Sequence, residues 1–116
     1  MAFIVQKVEG ILGGLAISVS GTFTETRPTT GVTASVAAAV VSVALLALNA
    51  ARRGAVVFND STADLFVKLG ATASLTSFTV RVSAGGSYEL PYPVYTGVID
   101  GIWEAAIGAA RVTELT

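Results

Sequence analysis

The stretch NAARRGAVVFNDSTADLFVKLG, residues 49–70, decides how the rest of the chain is read. It opens on the paired Arg52 and Arg53, passes into Val56, Val57 and Phe58, reaches Asn59, Asp60 and Ser61, and leaves through Leu65, Phe66, Val67, Lys68 and Leu69. Short polar side chains bond to backbone two residues on, so the Asn-Asp-Ser cluster predicts a turn, and the β-branched and aromatic flanks predict a strand on either side. In the second strand Leu65, Val67 and Leu69 share one face, while Asp64, Phe66 and Lys68 share the other, as a period of two requires. Phe58, Leu65, Val67 and Leu69 are therefore expected in a core.

Downstream the β pattern continues. Ser77 to Val82 alternates, with Phe78, Val80 and Val82 expected inward and Thr79 and Arg81 outward. Ser83-Ala84-Gly85-Gly86-Ser87 predicts a glycine turn, followed by a short strand at Tyr88-Glu89-Leu90. Pro91 and Pro93 donate nothing to a ladder, so Pro91-Tyr92-Pro93 predicts an edge or a connecting loop. Asp100-Gly101 is a strong turn dipeptide, Trp103 is expected in the core, and Ala109 to Leu115 predicts a last strand. Strands at this spacing, separated by turn signals, predict a sandwich or barrel.

Upstream the reading divides. From Pro28 through Ala51 there is no charged residue, and Val32 to Ala51 is long enough to span a bilayer as a helix. Thr33, Ser35, Ser42 and Asn49 interrupt the run, and no Trp or Tyr flanks it, which argues against a membrane span. Val36, Val40, Val43 and Ala47 keep helical spacing, whereas Val40 to Leu46 reads as a strand buried on both faces. Strand, non-membrane helix and membrane helix all remain open here, with strand preferred. Residues 1–39 are expected to form an apolar, glycine-containing arm with short strands, and residues 40–116 the sandwich. Lys7 and Glu9 precede the apolar Ile11 to Val19, unlike the basic start of a secretory signal.

Composition bounds the function. The 116 residues carry 7 basic and 8 acidic side chains, without a basic block, so the electrostatic footprint of a nucleic-acid binder is missing. Neither cysteine nor histidine occurs, which closes off disulfides, thiolate zinc sites and most triad chemistry. Hydrophobic residues make up 53% of the chain and charged residues only 13%, against roughly a quarter charged in an average soluble domain. A chain this short buries such an excess by associating with copies of itself or with a larger partner, or else in a membrane.

The candidates for chemistry are few. Asp60 and Asp64 with Asn59 offer clustered oxygens to a hard cation, but turn formation and surface exposure account for them more simply. Glu89, Asp100 and Glu104 do not make a carboxylate pair in a cleft, and Gly10-Ile11-Leu12-Gly13-Gly14 lacks the Lys-Ser/Thr ending of a phosphate loop. No enzyme, cofactor, metal or small-molecule substrate is expected. Contact residues are the better prospect: Phe3, Ile4 and Val5 in the arm, Arg52 and Arg53 as partners for carboxylates of a neighbour, and Tyr92 and Tyr95 beside the proline loop.

Asn49, Arg52-Arg53-Gly54, Phe58 to Ala63, Leu65 to Gly70, Tyr88 to Pro91, Tyr95-Thr96-Gly97, Gly101-Ile102-Trp103 and Arg111 to Leu115 together resemble a group of small tailed-bacteriophage virion proteins. The resemblance covers residues 49–116 and is to an order of turns and strands, with no catalytic motif. It implies an all-β fold, a small β-sandwich or jelly-roll-like domain with an extended N-terminal arm. In function it implies a non-enzymatic capsid cement or decoration protein that binds the outer surface of a shell of major capsid protein, commonly as a homotrimer. Such a protein is made in the host cytoplasm and resides on the virion. The alternative is a tail or head-fibre adhesin binding host surface carbohydrate; a small membrane protein anchored by residues 32–51 is a third reading.

Overall fold

The computed structural model describes residues 26–116 in full, and residues 2–12 and 15–24 as backbone. Strands β1 (Ala2–Leu12) and β2 (Leu15–Thr24) pair antiparallel as a sheet of their own. The contact role expected of Phe3, Ile4 and Val5 rests on side chains outside the described residues.

Eight further strands follow: β3 (Gly31–Ala37), β4 (Val43–Leu46), β5 (Gly54–Ser61), β6 (Leu65–Leu69), β7 (Val80–Val82), β8 (Ser87–Glu89), β9 (Ile99–Trp103) and β10 (Gly108–Leu115). They form two four-stranded antiparallel sheets, in the orders β3-β10-β5-β8 and β4-β9-β6-β7. The pairing is nested: β3 with β10, β4 with β9, β5 with β8, and β6 with β7. The chain thus makes one long antiparallel ribbon, and the pairings β10 with β5 and β9 with β6 roll that ribbon into two layers. That connectivity is a jelly roll, the eight-stranded sandwich of two Greek keys. The all-β class is as expected.

The two sheets enclose one core. Ala55 and Val57 of β5 and Ala110 and Val112 of β10 face Leu45, Leu65, Val67, Val82, Ile99 and Trp103 of the opposite sheet. β9 is central in its sheet and buried at all five positions. Asp100-Gly101 is therefore mid-strand and not a turn. The glycine serves packing: a Cβ at Gly101 would lie 2.9 Å from Leu45 Cδ1 and 3.0 Å from Leu65 Cδ1. A turn dipeptide and a strand glycine under a packed neighbour look alike in sequence.

Residues 32–51 hold β3, a loop and β4, so neither helix reading stands; among the described residues no helix is long and apolar enough to cross a membrane. The expected strand at Val40 to Leu46 shortens to Val43–Leu46, and Val40 and Val41 are exposed in the loop. β3 pairs along its whole length with β10, from Gly31 opposite Leu115 to Ala37 opposite Ala109. The sandwich accordingly begins at Gly31, and the boundary expected after residue 39 moves toward the N-terminus.

The stretch at residues 49–70 crosses between layers. β5 continues through Asn59, Asp60 and Ser61, and β6 lies in the other sheet, so the connection falls at residues 62–64, three residues later than expected. The phase of β5 is also set differently. Ala55, Val57 and Asn59 point inward, which leaves Val56 and Phe58 on the outer face, Phe58 at 39% exposure. Phe58 is thus no core residue, because buried Asn59 holds the adjacent inward position. Leu65, Val67, Val82 and Trp103 are buried as expected, and Leu69 and Val80 pack partly against the same core.

Phe78 is the other correction. It precedes the short strand β7, is 41% exposed, and meets the buried Phe66 edge-on with ring centroids 4.8 Å apart. The connection over residues 70–79 folds across the outer face of the second sheet, where Phe66, Ala73 and Ile102 form a small second core. Lys68 fastens it, donating from Nζ to the Thr72 carbonyl at 3.1 Å and to Ser77 Oγ at 2.8 Å. Phe78 therefore covers the sheet from outside.

Candidate functional site

Two buried polar groups hold the ends of β5 and so fix the surfaces around it. At its start Arg52 is 1% exposed. Its Nε donates to Glu114 Oε2 at 2.8 Å, Nη1 to the carbonyls of Tyr95 and Gly97 at 2.9 Å each, and Nη2 to the carbonyl of Ala47 at 2.6 Å. The other Glu114 oxygen accepts from Asn49 Nδ2 at 3.0 Å. A guanidinium suits this place because its rigid fork supplies several donors while remaining charged. Arg52 was expected to reach a neighbouring subunit; it instead binds the β4–β5 loop, the β8–β9 loop and β10 of its own chain. Tyr95 follows it inward, half-buried against the core with its carbonyl on Arg52, and is not a free contact residue.

At the other end Asn59 is fully buried. Its Nδ2 donates to the carbonyls of Ala63 and Val82 at 2.8 and 2.9 Å, and its Oδ1 accepts from Ser61 Oγ at 2.7 Å and Trp103 Nε1 at 3.2 Å. Every polar site on that side chain is occupied, which is what makes its burial tolerable. The oxygens considered for a cation are dispersed. Asp60 pairs with Arg111 at 3.0 Å, Asp64 pairs with Arg81 at 3.5 Å, and among the described residues no group of three or more acidic side chains gathers to hold a metal.

What remains outward is the far face of the first sheet. Register places Ser35, Arg111, Phe58 and Ser87 in one row across it, and Thr33, Thr113, Val56 and Glu89 in the next. Thr33 and Thr113 share a hydroxyl hydrogen bond of 2.9 Å, and Arg111 donates to Ser35 Oγ at 2.8 Å and Asp60 Oδ2 at 3.0 Å. These bonds hold the polar side chains down along the sheet and leave Val56 and Phe58 exposed between them. One border of the sheet is β3, seven residues without a charge, a proline or a register shift, and among the described residues no further strand pairs with its outer rim of backbone groups. Natural edges are usually guarded by charge, proline or a bulge.

The opposite border, at β8, carries a pocket of about 240 Å³. Arg53, Glu89 and Tyr92 line it together with Gly54, Val56, Val94 and Leu115. Tyr92 is 92% exposed, so of Tyr88, Tyr92, Tyr95 and Trp103 it alone protrudes; Tyr88 and Tyr95 lie against the core and Trp103 within it. Arg53 is exposed as well.

Of the contact residues expected from sequence, Arg53 and Tyr92 therefore come together at one pocket, whereas Arg52 is buried and Tyr95 half-buried. Sequence reasoning missed Val56, Phe58 and Arg111 as surface. With Val56, Val57 and Phe58 all apolar, alternation alone leaves the phase of β5 undetermined; only the inward Asn59 sets it.

The fold and surface define a small all-β jelly-roll domain with an open sheet face. Comparison with known proteins found no matching family model, no matching curated protein and no matching solved structure.

Proposed function

We propose that the chain is a non-enzymatic structural protein of a tailed-bacteriophage virion, a capsid decoration protein that binds the outer surface of the major capsid shell as a homotrimer and stabilises it. The observation that carries the reading is the unguarded surface of the first sheet: the uncharged edge β3 beside a face exposing Val56 and Phe58. A protein that stayed monomeric would be expected to protect that edge; one that assembles uses it, because unpaired strand groups supply main-chain hydrogen bonds to a partner and the adjacent face adds apolar area. The resemblance of residues 49–116 to small phage virion proteins points the same way, and jelly rolls are frequent in capsid domains. Three such surfaces joined in one trimer hold far more firmly than one, since the second and third contacts form at high effective concentration.

The test is the number of copies of this chain per major capsid subunit in purified virions, counted by quantitative mass spectrometry. A ratio near one to one, or one trimer per threefold position, is expected. A handful of copies per particle, or none, overturns the reading; a handful moves the protein to the tail, neck or fibre.

A further inference from the structure

We propose that the pocket between Arg53, Glu89 and Tyr92 binds a neutral saccharide ring. At about 240 Å³ it lies just below the range of roughly 300–1,000 Å³ typical of sites for drug-sized ligands, so it suits a single ring. Its chemistry is amphipathic. Tyr92 offers a bare aromatic face, and Pro91 and Pro93 on either side restrict the backbone that presents it, which limits the entropy lost on binding. Ala55, Val56, Leu90, Val94 and Leu115 give it an apolar lining. A pyranose has the matching surface, since its axial C–H groups form an apolar patch that stacks on an aromatic ring while its hydroxyls radiate around the rim.

The rim meets those hydroxyls with a donor and an acceptor. Arg53 carries only donors and an ionised Glu89 only acceptors, the two complements that vicinal hydroxyls need. Neither side chain makes a hydrogen bond or ion pair with another described residue, although every other arginine of the sandwich is engaged. The two charges oppose each other at one pocket. An acidic ligand would gain from Arg53 and lose to Glu89, and an apolar one would draw on neither; a neutral polyhydroxylated ring uses both. The lining runs from Glu89 of β8 through Gly54, Ala55 and Val56 of β5 to Leu115 of β10 and takes no residue from β3, so occupancy of the pocket leaves the backbone edge of β3 open.

The experiment is an NMR titration of the isotope-labelled full chain with glucose, galactose, N-acetylglucosamine and rhamnose, with glycerol and N-acetylneuraminic acid as controls. At least one neutral sugar is expected to give saturable shifts at Arg53, Glu89 and Tyr92, with a dissociation constant in the millimolar range. Tyr92→Ala and Arg53→Ala, both at exposed positions, are expected to keep the spectrum of the folded protein and weaken binding about tenfold or more, as loss of a central contact does. The proposal is overturned by absence of saturable shifts at these residues with every neutral sugar, by equal response to glycerol, by tighter binding of the acidic sugar, or by binding that survives Tyr92→Ala. Because the readout is on the isolated chain, its outcome is independent of the copy number in virions.

Discussion

Arg52 shows how a single side chain can organise one end of a sandwich. A charge taken out of water is tolerable only when its donors are met, and here one carboxylate and three carbonyls meet them. Arg52→Ala takes the donor from Glu114 Oε2 and from three inward carbonyls, and is expected to lower stability by about 3–5 kcal/mol, a large part of the total for a small domain. Urea unfolding checks this as a fall in midpoint at unchanged slope. Arg52→Lys should recover only part of the loss, because a single ammonium cannot span partners that the fork reaches together. Gly101→Ala tests the core at the same scale. Its methyl would press on Leu45 and Leu65, both buried, so that these side chains must shift within the packed core, and a loss of about 1–3 kcal/mol is expected by the same measurement.

At the scale of the element, β3 is the strand whose sequence looks least like a monomer's edge. Nothing along Gly31–Ala37 repels a neighbouring strand, and its pairing with β10 is regular throughout. Ala34→Lys places a charge on that edge at an exposed position. The isolated fold should change by no more than about 0.5 kcal/mol, while self-association or attachment to a shell weakens. Thermal melting measures the first effect, and light scattering or particle binding the second. Unchanged association would show that contacts are made elsewhere.

For the whole molecule, the ribbon that makes the jelly roll closes within residues 26–116. Its outermost link joins the two ends, with the amides of Thr29 and Thr30 donating to the Thr116 carbonyl at 2.8 and 3.0 Å and the Thr116 amide returning to Thr30 at 2.8 Å. β1 and β2 share no sheet with it. A chain of residues 26–116 is therefore expected to fold by itself, melting within about 4 °C of the full chain, which corresponds to roughly 1 kcal/mol or less for a domain this size. A much larger drop would mean that the N-terminal hairpin is an integral part of the stability of the sandwich.

The all-β class, the strands at residues 65–69, 87–89 and 108–115, and the inward Leu65 and Val67 were legible in the chain, because alternation and turn residues are local signals and act within a few positions. Arg53 and Tyr92 were also legible as surface groups, from charge and from the flanking prolines. The phase of β5, the burial of Arg52, the strand at Asp100-Gly101 and the outward Phe58 and Phe78 were not. Each depends on a partner distant in sequence: Glu114 for Arg52, Trp103 for Asn59, Leu45 and Leu65 for Gly101, and Phe66 for Phe78. Local pattern determined which residues extend into strands; tertiary structure decided which face each strand turns inward, because burial of a polar or missing side chain is settled by what the opposite layer supplies.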